Sequence, residues 1–96
     1  MQQNNRDMGL VFTKQINNTT FVLDASDGVR HVSVKNSSAS AVNISITGTL
    51  PLNGLASAAM NLTQGDIVTI SSDTPLDGLT ITSASGSALA DIICTQ

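Results

Sequence analysis

An all-β fold, a single small β-sandwich or jelly-roll-like barrel of about eight short antiparallel strands, is what this 96-residue sequence predicts. Three observations lead there. The apolar share is 41% but aromatics are only 2%, so the core must be built from Val, Ile and Leu, which pack well on a pleated surface. Ser and Thr make up about a quarter of the chain, Asn is frequent, and Glu is missing. Ser, Thr and Asn compete with helix by bonding to nearby backbone. Short apolar alternations also recur with turn signals roughly every 8–12 residues, the spacing of a sandwich or small barrel.

Residues 1–8 are polar and patternless and read as a flexible arm ahead of one domain, 9–96. In 10–15, Leu10, Phe12 and Lys14 alternate with Val11, Thr13 and Gln15. Asn17-Asn18 marks a turn, because Asn tolerates positive φ. Residues 19–25 place Phe21, Leu23 and Ala25 on one face, and Asp27-Gly28 then reads as a hairpin turn. Val32 and Val34 point inward from 29–35, with His31, Ser33 and Lys35 outward, and 36–40 is a loop. The cleanest alternation is 41–47, with Val42, Ile44 and Ile46 inward. Pro51 and Asn53-Gly54 break the next stretch. A helix over 55–62 is an alternative there, but a loop followed by a short strand at about 58–63, with Met60 and Leu62 inward, fits better. The last three strands are 66–71, with Val68 and Ile70 inward, 76–84, with Leu79 and Ile81 inward, and 88–94. Gly65, Gly78 and Gly86 fall at strand ends, where turn geometry explains them, and Pro75 follows a strand it could not continue.

Charged residues are 11% of the chain, well under the roughly 25% of ordinary soluble domains, and the net charge is −3. Four scattered basic residues give no footprint for nucleic acid, and the scarcity of aromatics removes stacking platforms for single strands. Asp24, Asp27, Asp66 and Asp77 lie in or beside turn signals, so turn chemistry accounts for them. The first ten residues lack a basic region followed by an apolar stretch, so no secretory leader is expected, and no run is long enough to span a membrane. Asn17, Asn18, Asn36, Asn43 and Asn61 head Asn-x-Ser/Thr triplets that chance explains in a chain of this composition.

Catalytic and metal constellations fail one after another. One His and one Cys cannot make the three or four N/S ligands of a zinc site. Asp24, Asp27 and Gly28 cover part of a calcium loop, but no bidentate Glu exists to finish it. His31 could join some Ser and Asp, yet nothing resembles G-x-S-x-G around a serine. Cys94 lies in an apolar run and reads as a core residue. No cofactor, metal or enzymatic activity is expected. What remains is surface: outward positions of Ser, Thr and Asn are short, cost little entropy to order, and suit close packing against other protein. The Ile92-Ile93 pair makes the last strand apolar on both faces, as if covered by the core on one side and another chain on the other.

The pieces L-x-x-G-D-x-V-T-I (Leu62–Ile70), LDGLTI (Leu76–Ile81) and ADII (Ala90–Ile93), set in an aromatic-poor, Ser/Thr-rich β chain, resemble small virion proteins of tailed bacteriophages. The nearest class is the head decoration or cement proteins. That resemblance covers mainly the last third of the chain and implies a homotrimer on the outer capsid that clamps neighbouring capsomers. The implied partners are the chain itself and the major capsid protein, with no nucleic acid and no membrane. The implied location is the virion, assembled in the host cytoplasm. Arg6, Met8, Leu89, Ile92 and Ile93 are then the candidate subunit or capsid contacts. A glycan-binding module of a tail fibre or baseplate, using loops 36–40, 48–57 and 72–77, is the alternative. Removing residues 1–8 should leave the circular dichroism spectrum and unfolding midpoint unchanged and weaken partner binding; loss of folding would make the arm a core strand.

Overall fold

The structure, a computed structural model, describes residues 9–48 and 58–96. Among these residues eight strands form: β1 (Leu10–Asn17), β2 (Thr20–Leu23), β3 (His31–Asn36), β4 (Ile44–Gly48), β5 (Ala58–Leu62), β6 (Ile67–Ser71), β7 (Leu79–Ser83) and β8 (Leu89–Thr95). They build two four-stranded sheets in the orders β1-β8-β3-β6 and β2-β7-β4-β5. All neighbours are antiparallel.

The pairing is nested. β1 pairs with β8, β2 with β7, β3 with β6 and β4 with β5, as in one long hairpin made of the two halves of the chain. Two further pairings, β3 with β8 and β4 with β7, roll that hairpin into a double-sheet jelly roll. The all-β expectation of about eight antiparallel strands is met, and the strand order resolves it to the jelly roll.

The interior is filled by side chains aligned across each sheet. In the first sheet Phe12, Cys94, Val32 and Ile70 share one row. In the second, Phe21, Ile81, Ile46 and Met60 do the same. Ile46, Ile70, Leu79 and Ile81 are wholly buried, and Val29, from a connection, is buried with them. Phe12 and Phe21 meet edge to face, 5.8 Å apart at 89°, and bridge the two sheets beside β1 and β2. Lys14 leaves the core there, with Nζ 5.7 Å from the Phe21 ring centre.

Several local expectations are corrected. Leu10 and Phe12 do not share a face. Leu10 pairs with Thr95 and Phe12 with Cys94, so Val11 is an extra residue that shifts the register and turns Leu10 outward. Asp27-Gly28 does not turn a hairpin, because β2 and β3 belong to different sheets. Instead Ala25–Asp27 is one turn of 3-10 helix: Asp24 and Asp27 form a reciprocal capping box and Gly28 closes it at φ 71°. Ala25 is therefore exposed and not a core residue. The strand expected over 76–84 starts at Leu79, after a bend at Gly78, although Leu76 is buried. Val42 is half-buried ahead of β4 and not within it. β5 is a strand, as preferred over the helix. Pro51, Asn53-Gly54 and most of the loop expected at 48–57 lie outside the described residues. The turn at Asn17-Asn18 is present, with Asn18 at φ 54°. Gly48, at φ 118°, sits so close to the Gly78 carbonyl that a Cβ would collide with it.

Asn36 is the largest departure. Expected in a loop, it ends β3 and is fully buried. Its Nδ2 donates to the carbonyls of Val42 and Leu62, each at 2.8 Å, and its Oδ1 accepts from the Ser38 amide at 3.1 Å. Its backbone bonds to Asp66 and Gly65, both at 2.9 Å. One amide thus ties the first sheet to the entry and the exit of the β4–β5 hairpin. Asn36→Ala should strand two buried carbonyls and an amide and cost about 2–4 kcal/mol. Ile46→Ala, which opens a cavity in the centre of the core, should cost about 2–5 kcal/mol. Urea unfolding of both variants checks the equivalence of a single buried amide and a central core side chain.

Candidate interaction surface

Antiparallel register turns each sheet's outer face into rows of neighbouring side chains. On the first sheet one row runs Thr13, Ile93, Ser33 and Thr69, and the next Gln15, Asp91, Lys35 and Ile67. Hydroxyl and amide groups bond across these rows. Ser33 Oγ lies 2.9 Å from Thr69 Oγ1, Gln15 Nε2 donates to Asp91 at 2.7 Å, and Ser37 Oγ donates to Asp91 at 2.6 Å. Among these short polar groups stand two large apolar side chains, Ile93 at 49% and Ile67 at 65% exposure, with Leu10 at 61% at the opposite edge.

The second sheet's outer face carries no charged side chain among the described residues. Thr20, Thr82, Ser45 and Asn61 form one row, and Val22, Thr80 and Thr47 the next. Ser45 Oγ donates to Asn61 Oδ1 at 3.1 Å.

Of the residues expected to make contacts, Leu89 and Ile93 reach the surface. Leu89 is half-buried beside an open depression lined by Asn17, Ser37, Ser40, Gly86 and Ser87. Ile92 is 1% exposed and turned into the core, where strand alternation puts it whenever Ile93 faces out. Arg6 and Met8 lie outside the described residues. The signal that singled out Ile93, an apolar residue out of phase with its strand, is equally present at Val22 and Ile67, which sequence reading passed over.

Among the described residues no triad assembles around His31. Its Nδ1 lies 2.8 Å from Ser71 Oγ, its cross-strand partner, on the exposed face. Asp73, which lines a second open depression together with His31, Ser71 and Ser72, is engaged through its backbone carbonyl by Arg30 Nη1 at 2.8 Å. Among the described residues no group of three or more His, Cys, Asp or Glu could hold a metal ion, and no helix is long and apolar enough to cross a membrane. Buried polar groups that the sequence did not single out are structural. Ser83 accepts from the Asn18 amide at 2.8 Å and donates to the Ala88 carbonyl, and Ser38 Oγ accepts from the Leu89 amide at 2.9 Å.

Comparison with known proteins adds no assignment: no protein-family model matches the chain, and no curated protein matches it.

Hydrogen bonds from Ser37 and Gln15, with Lys35 nearby, hold the Asp91 carboxyl below its usual 3.8. Bonds from the Thr63 hydroxyl and amide, at 2.7 and 2.9 Å, do the same for Asp66. Depressed carboxyls mean that the unfolded chain binds protons more readily. Their stabilisation is complete above 3.8 and is lost as pH falls through the lower folded values. Urea midpoints should therefore fall between about pH 5 and about pH 2.5, and the slope should flatten in a D66N/D91N double variant. Burial pushes the Cys94 thiol up to about 11, with the Asp27 carboxylate adding to it. Native protein near neutral pH should leave a thiol-specific disulfide reagent unreacted, and labelling should track global unfolding in urea.

Proposed function

We propose that this chain is a structural virion protein, a capsid decoration or cement protein that oligomerises on a capsid surface and stabilises the lattice. The observation that carries the reading is the outer face of the β2-β7-β4-β5 sheet. Every described outward side chain there, from Thr20 and Val22 to Ser45, Thr47, Thr80 and Thr82, is short and uncharged. Such a face has no charge to desolvate and little side-chain entropy to lose on contact. Cementing needs that economy, because each copy contributes a small contact that is repeated over a lattice and stabilises it by mass action.

The jelly-roll order supports the same reading by analogy alone, since viral and lectin domains both use it. The two aromatic rings of the chain favour the capsid role over sugar recognition. Phe12 and Phe21 are half-buried against each other and the core, so neither is presented as a flat platform. In mechanism, the exposed Ile93 and the half-buried Leu89 sit on the opposite sheet from the uncharged face. One sheet can then serve contacts between copies while the other meets the capsid.

The test is recovery of the tagged protein at natural abundance, followed by mass spectrometry of what accompanies it. Stoichiometric major capsid protein is expected, and thermal melting of undecorated capsids should shift upward when the purified chain is added. Recovery as a strict monomer that does not bind capsids would sink the proposal, as would selective binding on a glycan array.

A further inference from the structure

We propose that the free edge of β6 is a self-complementary strand-addition site, whose occupant is β6 of a second copy paired antiparallel about a two-fold axis at Thr69. The hydrogen-bond parity of the β3–β6 ladder establishes which groups are free. Asn36 donates to Asp66, and Ser72 donates to Arg30, at the two ends of that ladder. Bonded and non-bonded pairs alternate in an antiparallel ladder. Val68 and Ile70 therefore bond inward to Val34 and Val32, while Ile67, Thr69 and Ser71 aim their backbone N–H and C=O away from the sheet. β6 is the terminal strand of its sheet.

A two-fold axis at Thr69 sets Thr69 against its own copy, and Ile67 against Ser71 of the second copy in both directions. All three residues that face outward then meet residues that also face outward, so the bonds close with no unmatched group within the strand. The same register sets Val68 opposite Ile70, continuing the inner apolar layer from one molecule to the next. Asp66 faces Ser72 and Asp73 faces Gly65, so no carboxylate opposes a carboxylate. Ile67, the most exposed large apolar side chain among the described residues, is covered.

The other edges differ in how they are defended. β1 carries a bulge at Val11 and a lysine at Lys14, and β2 is four residues long and runs into a capped 3-10 turn. Bulges, charges and short length all blunt strand addition. β6, Ile-Val-Thr-Ile-Ser, has neither bulge nor charge and no proline. β5, the remaining edge, continues directly from residues 49–57, outside the described part. A contact between two five-residue strands is smaller than a standard interface of about 1,600 Å², so the pairing should be roughly micromolar or weaker and visible by its dependence on concentration. It does not depend on the decoration role, because it is tested with the isolated chain.

Three measurements on the full chain test it. Thr69→Cys should form a disulfide-linked dimer under mild oxidation, at least tenfold faster than Ser45→Cys on the other sheet's face; the native Cys94 is buried and silent. Thr69→Lys places two like charges on the axis and should weaken self-association in sedimentation by tenfold or more, with an unchanged circular dichroism spectrum. Because that variant alone could misfold, amide exchange of the unmodified chain is the third reading: Ile67, Thr69 and Ser71 should gain protection as concentration rises. Equal crosslinking rates for the Thr69→Cys and Ser45→Cys variants would overturn the proposal, as would exchange at those amides independent of concentration. So would association that survives Thr69→Lys but disappears when residues 1–8 are removed, since the occupant would then be the arm.

Discussion

The two sheets of this molecule are tied at one end through the buried side-chain amide of Asn36. Asn36 reaches from β3 to the carbonyls of Val42 and Leu62, which flank the β4–β5 hairpin in the other sheet, and to the amide of Ser38. Its own backbone holds the Gly65–Asp66 turn. A jelly roll has a geometric need for such a tie, because the chain crosses between sheets at that end and leaves carbonyls facing the interior, where water cannot reach them. One side-chain amide answers several of those groups together. At the opposite end of the same ladders the crossings are closed by backbone: Leu76 donates to Val29 at 2.7 Å and Gly78 to Leu23 at 2.8 Å.

A core of medium aliphatic side chains explains why such polar ties matter here. With no Trp or Tyr and only two Phe, each buried side chain covers a modest area, and the two rings are placed at one flank and not at the centre. A small domain buries a smaller share of its unfolded surface than a large one, so its margin is narrow. Hydrogen bonds of the buried Asn36, Ser38 and Ser83 side chains pair polar groups near the strand ends, where apolar packing runs out.

The surface is organised by the same register that builds the core. Alternation sends Val32, Val34 and Ile92 inward and, by the same step, Ser33, Lys35 and Ile93 outward. Every described outward position of the second sheet except Val22 and Asn61 is hydroxyl-bearing, while the first sheet mixes hydroxyls with His31, Lys35 and Asp91. The exposed apolar side chains, Leu10, Val22, Ile67 and Ile93, are isolated in sequence but lie at edges or near the middle of a face.

Much of this was legible in the chain. Composition argued against α-helix, and period-2 alternation located most of the inward sets, from Leu23 to Ile81, because strand geometry makes the two faces a local property. Turn chemistry at Asn18, Gly65 and Gly78 was local too, since positive φ is a property of the residue. The sequence could not say that β2 and β3 belong to different sheets, which is why Asp27-Gly28 read as a hairpin and proved to be the end of a capped 3-10 turn. It could not show the bulge at Val11, which depends on what β8 presents opposite. Nor could it place Asn36, whose side-chain partners lie up to 26 residues away. By itself, then, the sequence determined strand existence, inward faces and the poverty of catalytic groups. Tertiary structure alone decided the nested pairing, the free edge of β6 and the buried amide, because those follow from which distant segments meet, and a local pattern carries no record of that.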